Sequence, residues 1–274
     1  MASRPPERLD KLLVSRGLAS SRAEAADFIK NGRVKVLGIK RVKPSSMFAH
    51  EASIEMDGDE YAEKRWVGRG AYKLLRALEE WNVDPKGCDC ADIGASTGGF
   101  TQVLLDSGAA RVAAVDVGYG QLAWKLRNDP RVKVMDRINA RYVTAEDIGW
   151  RSGIVTVDAS FISLRTLLPC VKELARDDGI IITLVKPQFE VGRAKIGKGV
   201  IRDPSLHAEV MEGLSEFAET ECGLVFKGAV YSPLKGSSGN IEFIFLLTRA
   251  GNELSARRAF DFSELARSAG FSLR

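Results

Sequence analysis

Asp92-Ile93-Gly94-Ala95-Ser96-Thr97-Gly98-Gly99-Phe100 is the stretch that decides the fold of this chain. An apolar run at 88–93 leads into it and a helical pattern at 100–107 leaves it, so it reads as the turn of a strand–turn–helix unit. Its glycines let the backbone approach a ligand closely. The spacing is not Gly-x-Gly-x-x-Gly, and no Gly-Lys-Ser/Thr closes it as in a phosphate-binding loop. Asp92 at its head would repel a pyrophosphate but tolerates the ammonium group of a zwitterion.

The same texture extends in both directions. A segment at 71–81 sets Leu74, Leu75 and Leu78 on one helical face. Apolar runs at 112–115, 132–135, 154–157 and 179–185 read as strands, with helical patterns at 122–127 and 164–175 between them. Runs this continuous suit parallel strands covered on both faces. A helix at 207–220 and two strands at 224–231 and 240–247, paired as an antiparallel hairpin, close the domain. The fold class is therefore α/β, a doubly wound and mostly parallel sheet. Residues 251–274 read as a C-terminal extension with a surface helix.

Open α/β sheets bind ligands beyond the carboxyl ends of their strands, at the point where strand order reverses. Five polar residues stand there: Asp92, Asp116, Asp158, Lys186 and Glu242. A carboxylate at Asp116 can take both hydroxyls of a ribose, which with Asp92 suits S-adenosylmethionine better than a dinucleotide. Lys186 abuts a buried strand, so it must either find a partner or favour its neutral form, as a general base does. Strand alternation puts Glu242 on the face of Ile244 and Leu246, where an acid needs a partner or a wet strand end. Arg137, Arg141 and the 192–199 loop with Arg193, Lys195 and Lys198 add cations along this edge, as a phosphodiester substrate requires.

The chain has 274 residues and a net charge of +4, which names no partner by itself. Residues 1–50 hold eleven Lys and Arg against four acids, +7, and the rest of the chain carries −3. That segment reads as a separate basic module of about sixty residues, of a size that buries little surface. It contains helices at 8–17 and 22–31, a capping box from Ser21 to Glu24, and short strands at 34–37 and 52–56. Lys64-Arg65-Trp66-Val67 reads as a linker anchored by its tryptophan, or as a tryptophan buried in one core. The domain expectation is 1–63, a linker at 64–67, a catalytic domain at 68–250 and the extension at 251–274.

Met-Ala-Ser-Arg-Pro-Pro-Glu-Arg has no apolar core, and the longest apolar stretch, at 180–185, falls far short of the roughly 20 residues of a membrane span. Cys88, Cys90, Cys170 and Cys222 match no redox or zinc spacing, and His50 and His207 are far apart. No metal site, no membrane partner and a cytoplasmic location are expected.

Arg8-Leu9-Asp10, Ser21-Arg22, Gly32-Arg33-Val34-Lys35-Val36 and Lys43-Pro44-Ser45 resemble the S4 RNA-binding domain. Arg69-Gly70-Ala71-Tyr72-Lys73-Leu74, the turn at 92–100, the segment at 157–164, Val185-Lys186-Pro187-Gln188-Phe189-Glu190 and Gly239-Asn240-Ile241-Glu242 resemble FtsJ-type ribose methyltransferases. Both halves in this order resemble the TlyA (hemolysin A) family of ribosomal RNA 2′-O-methyltransferases.

The resemblance implies a Rossmann-like class I S-adenosylmethionine-dependent methyltransferase with a seven-stranded sheet, joined to a small α+β S4-like domain. It implies ribosomal RNA or ribosomal subunits as partner, with a cytidine of the small or large subunit as target. It implies a catalytic tetrad of Lys73, Asp158, Lys186 and Glu242. Strand ends had already raised three of these; Lys73 enters only through the resemblance, because a lysine on a helix is unremarkable. In this reading Lys186 is the base, or the group that lowers the pKa of the ribose hydroxyl. Asp158 and Glu242 orient the lysines, and Lys73 places the ribose.

Cofactor contacts are expected from Asp92, Gly94, Ser96, Thr97, Gly98, Asp116, Asp136 and Phe161. RNA contacts are expected from Arg8, Arg22, Lys43, Arg69, Arg137, Arg141 and Arg193. Two departures stand out: the linker pattern Arg-x-Trp-Val begins here with Lys64, and the usual Val-Asn-Gly turn reads Leu37-Gly38. A non-catalytic RNA-binding or ribosome-assembly protein, a cytolysin and an NAD-dependent oxidoreductase are the competing readings. The complete tetrad opposes the first, the lack of a long amphipathic apolar segment the second, and the glycine spacing the third.

Overall fold

The structure is a computed structural model that describes residues 6–16, 18–19, 22–30, 32, 34–37, 39, 42–50, 52–56, 66–191, 199–236, 239–249 and 260–273. Gly17, Ser21, Asn31, Gly38, Lys64, Arg65, Arg193, Lys195 and Lys198, which figured in the sequence reading, lie outside the described residues. The chain divides into two compact units, Met1–Arg65 and Trp66–Arg274.

The first unit contains β1 (Glu7–Arg8), α1 (Leu9–Ser15), α2 (Arg22–Lys30), β2 (Val34–Val36), β3 (Met47–Phe48) and β4 (Ile54–Met56). β1 pairs antiparallel with β3, and β2 with β4. The helical spacing of Leu9 and Leu13 turns them into a small core with Phe28 and Ile29 of α2 and Val34 and Val36 of β2. Leu37 follows β2 at φ 52, where Val36 and Ile39 bridge across a tight turn. This is the left-handed region, which Asn and Gly tolerate and a leucine does not. Its side chain is 63% exposed and recovers little by packing. Leu37→Asn should therefore stabilise this unit by about 0.5–1 kcal/mol. A later first transition in urea denaturation would register it, and an unchanged or earlier one would refute it.

The second unit contains α3 (Ala71–Glu80), β5 (Asp89–Ile93), α4 (Gly99–Asp106), β6 (Arg111–Asp116), α5 (Trp124–Arg127), β7 (Val132–Asp136), α6 (Ala145–Ile148), β8 (Ser152–Val157), α7 (Leu164–Leu174), β9 (Ala175–Val185), α8 (Pro187–Glu190), α9 (Pro204–Thr220), β10 (Leu224–Tyr231), β11 (Phe243–Arg249) and α10 (Phe262–Ser272). A seven-stranded sheet runs in the order β10-β11-β9-β8-β5-β6-β7. The five strands from β9 to β7 are parallel, and β11 is antiparallel to both β9 and β10. Strand order reverses between β5 and β8, so the switch point opens beyond Ile93 and Val157.

Period-two alternation sorts the strands onto two cores. Ile93, Val115, Val157, Ile181, Phe243 and Phe245 pack under α7, α9 and α10. Cys90, Val112, Ile154, Ile182, Ile244 and Leu246 pack under α3, α4 and α5. Trp66 and Val67 pack against this second core, and the Val67 N–H donates to Gln102 Oε1 at 2.8 Å.

Two differences from the sequence reading follow from packing. Pairing of β11 with β9 begins at Phe243, so Glu242 stands just before the strand rather than inside it. The C-terminal helix is more than surface dressing: Phe262, Ala266 and Ala269 recur at i, i+4 and i+7 and are buried in the core with Phe226 and Phe245.

Candidate active site

Lys186 follows β9 directly, where Pro187 stops the strand and opens α8. Because β11 runs antiparallel with Phe243 opposite Val185, its beginning lies at the edge where β9 ends. Glu242 is therefore delivered beside the Lys186 backbone. Asp158 follows β8, and its N–H donates to Ile93 O at 2.9 Å. Helix α3 buries Ala71, Leu74, Ala77 and Leu78 in the core that also takes Ile244 and Leu246, which carries Lys73 in its first turn over the same edge.

The four side chains form one chain of alternating charge. Lys186 Nζ lies 2.5 Å from Asp158 Oδ1 and donates to Ser160 Oγ at 2.9 Å. Lys73 Nζ lies 3.5 Å from Asp158 Oδ2 and 2.7 Å from Glu242 Oε2. Their side chains are only 4–20% exposed. Two cations and two anions neutralise one another, so removing any one would leave an uncompensated charge in a nearly dry site.

The glycine turn stands opposite. Gly94 has φ 83, and a Cβ there would lie 2.7 Å from Asp158 O, so glycine is required both by conformation and by the approach of the β8 end. At Gly98, φ 96, a Cβ would meet the Leu126 side chain at 2.3 Å. Ser96 has φ 48 and donates its N–H to Asp116 Oδ2 at 2.7 Å. With Arg137 at φ 59 and Phe161 at φ 64, left-handed non-glycine residues follow β5, β7 and β8 at this one edge.

A cavity of about 610 Å³ opens between turn and tetrad. It is lined by Lys73, Asp158, Lys186 and Glu242, by Gly94, Ser96 and Thr97 of the turn, and by Phe161 and Arg69. Its size is that of a small-molecule site.

Other expected cofactor residues stand outside this wall. Asp92 does not face the cavity: it is fully buried, accepting from Thr101 Oγ1 at 2.7 Å and Thr156 Oγ1 at 2.9 Å. It braces the turn from beneath. Gly98 is packed under Leu126, and Asp116 also accepts the Gly118 N–H at 2.7 Å. Asp136 accepts from Arg127, which holds its carboxyl below the usual range, and from the Gly120 N–H at 3.2 Å.

Among the expected RNA contacts, Arg69 is exposed at the cavity wall, and Arg137 stacks 4.2 Å from the Tyr119 ring centroid. Arg141 lies 5.6 Å from that of Tyr142. Arg8 and Arg22 both engage Asp10, at 2.9 and 2.8 Å, while Lys43 is exposed. Sequence reasoning gave no role to Tyr119, nor to Ser160 and Glu190, which lie in segments that carry the resemblance. Exposed serines and tyrosines carry no pattern, and only the fold brings them to the edge.

The model of FtsJ-like methyltransferases matches residues 66–249. The chain belongs to the FtsJ-like methyltransferase family. An S4 domain precedes the FtsJ-like part, matching residues 7–49. A Mycobacterium tuberculosis relative named 16S/23S rRNA (cytidine-2′-O)-methyltransferase TlyA is 48% identical, over 96% of this chain and 98% of its own length. A Brachyspira hyodysenteriae relative named Hemolysin A is 36% identical over 86% of this chain and 98% of its own. The solved structure of a Streptococcus thermophilus protein described as a hemolysin superposes with a TM-score of 0.77 and 37% identity, covering 98% of this chain and 97% of that one. Among the described residues no helix is long and apolar enough to cross a membrane.

Burial raises the Asp92 carboxyl from its ordinary 3.8 to about 6, against the opposing hydrogen bonds of Thr101 and Thr156. Folding thus binds this proton more tightly, and the associated stability is present below about pH 4 and lost as pH rises through 6. Asp92→Asn should remove that loss. The stability difference between variant and wild type should grow in the variant's favour by up to about 3 kcal/mol from pH 4 to pH 7. Urea denaturation across that range checks it, and a pH-independent difference would refute it.

Proposed function

We propose that the chain transfers the methyl group of S-adenosylmethionine to the 2′-hydroxyl of a cytidine in ribosomal RNA. The observation that carries this reading is the Lys186–Asp158–Lys73–Glu242 array facing a bare glycine turn across one cavity. The turn fits the cofactor because Gly94, Ser96 and Thr97 offer backbone and small polar groups to the cavity. Bound S-adenosylmethionine would supply the electrophilic methyl group.

A ribose hydroxyl is a poor nucleophile, so its proton must leave as the new bond forms. Lys186, paired with Asp158, meets that oxygen as a fixed positive charge and favours the developing alkoxide, and the released hydroxyl proton passes to solvent water at the open side of the cavity. Ser160, already bonded to Lys186 Nζ, orients the ammonium group. Lys73 is held by Glu242 and Asp158 and directs its remaining proton toward the ribose. Alignment of this kind contributes on the order of 7–11 kcal/mol to a bimolecular transfer.

Substrate RNA is held at phosphates by Arg69, Arg137, Arg141 and Arg193 on the catalytic side and by Arg8, Arg22 and Lys43 on the S4 side. The printed name of the Mycobacterium tuberculosis relative supports ribosomal RNA and cytidine as the substrate class. A chain with this substrate works in the cytoplasm.

Lys186→Ala should lower methyl transfer to ribosomal RNA about 10²–10⁴-fold while S-adenosylmethionine still binds. Radiolabel transfer and calorimetric titration read the two separately. Undiminished transfer would overturn the role of Lys186, and a wild-type chain that labels no ribosomal RNA would overturn the function.

A further inference from the structure

Two loops at the carboxyl edge carry the reacting groups. The first, 158–163, holds Asp158, Ser160 and Phe161; the second, 186–190, holds Lys186. Glu190 ties them together. Its Oε2 accepts from Ser163 Oγ at 2.6 Å, and its Oε1 accepts from the Leu164 N–H at 2.8 Å. The carboxylate is half-buried, and burial pushes it above the usual carboxylate range.

This contact is unusual for a helix start. Ser163 is the N-cap of α7 and already accepts from the Arg165 N–H at 3.1 Å. An acid in the first turn normally completes a capping box, and α7 has none there. The acid at this helix start comes instead from the other loop, and it accepts from the Ser163 hydroxyl and the Leu164 N–H, not from the N-cap N–H of a capping box. A local acid would cap the helix without desolvating a charge between loops, so capping alone does not explain Glu190.

The other links between the loops are the Lys186 contacts to Asp158 and Ser160 and the Phe161–Phe189 ring pair at 5.2 Å. The Lys186 contacts are made by the reacting groups themselves, so they cannot hold the loops independently of the chemistry. Phe161 is 91% exposed and contributes little rigidity. Beyond the β8–β9 pairing from which both loops leave, the Glu190 contact is the side-chain link among these that involves neither a reacting group nor an exposed ring.

We propose that Glu190 is a positioning residue that keeps the Asp158 and Lys186 loops in register for methyl transfer. The inference rests on the methyltransferase reading above. Misplacement by about 1 Å is enough to lower a rate 10²-fold, so Glu190→Ala should lower the single-turnover rate about 10–100-fold. The KM for ribosomal RNA and the Kd for S-adenosylmethionine should change less than about threefold, because Glu190 does not line the cavity.

Glu190→Gln should restore most of the rate. Its amide oxygen still accepts from Leu164, and its amide nitrogen can donate to Ser163 Oγ. Ser163→Ala, which leaves the Leu164 contact, should show a smaller loss of the same kind and serves if Glu190→Ala does not fold. A Glu190→Ala rate within about twofold of wild type, a rise in KM at constant rate, or failure of the Gln variant to rescue would each overturn the proposal. An inactive wild type would instead overturn the underlying function.

Discussion

Asp158 holds two ammonium groups at once, one oxygen toward Lys186 and the other toward Lys73, and the active edge depends on that division. Two lysines this close would repel in a low-dielectric site, and either alone would be costly to bury. Glu242 completes the neutral set from the far side. The sheet topology makes the set possible. Parallel β8 and β9 deliver Asp158 and Lys186 at their carboxyl ends, and only a strand running the other way can deliver an acid at its beginning to the same place. The antiparallel β11 thus completes the charge set as well as extending the sheet.

The backbone around the set is constrained as well. Gly94 must let the β8 end approach, since any side chain there would strike Asp158 O. Asp92 braces the same turn through Thr101 and Thr156, anchoring it to α4 and β8. Ser96 is held by Asp116 across the next strand. Left-handed residues at three strand ends are the local strain expected where tertiary contacts over-determine a loop.

Much of this was legible in the sequence because strand-end position is a sequence property. An apolar run followed by a charged residue located Asp158 and Lys186 without any tertiary knowledge, and the doubly wound sheet followed from the same runs. Lys73 was not legible from pattern, although a lysine in the first turn of α3 opposes the helix dipole and signals a partner elsewhere. The inward orientation of Asp92 was not legible either. Its position matches a ligand contact, but whether the carboxylate points out or in depends on Thr101 across the turn and on Thr156, 64 residues away on β8. Helix α10 was undervalued because its burial depends on a face supplied by α9 and β10.

The basic first segment shows how net charge and usable charge differ. Its +7 includes Arg8 and Arg22, and both guanidinium groups rest on the buried Asp10. Arg8, with Arg22, holds the Asp10 carboxyl well below the usual carboxylate range, so the acid stays ionised at any physiological pH. The pair therefore acts as one net positive charge spread over two fixed, partly exposed forks. A phosphate gains less raw attraction from such a pair than from two free arginines. It also loses less side-chain entropy on binding, because the forks are already held in place. The carboxylate that weakens the field also fixes the two guanidinium groups in place, as Asp158 does for its two lysines.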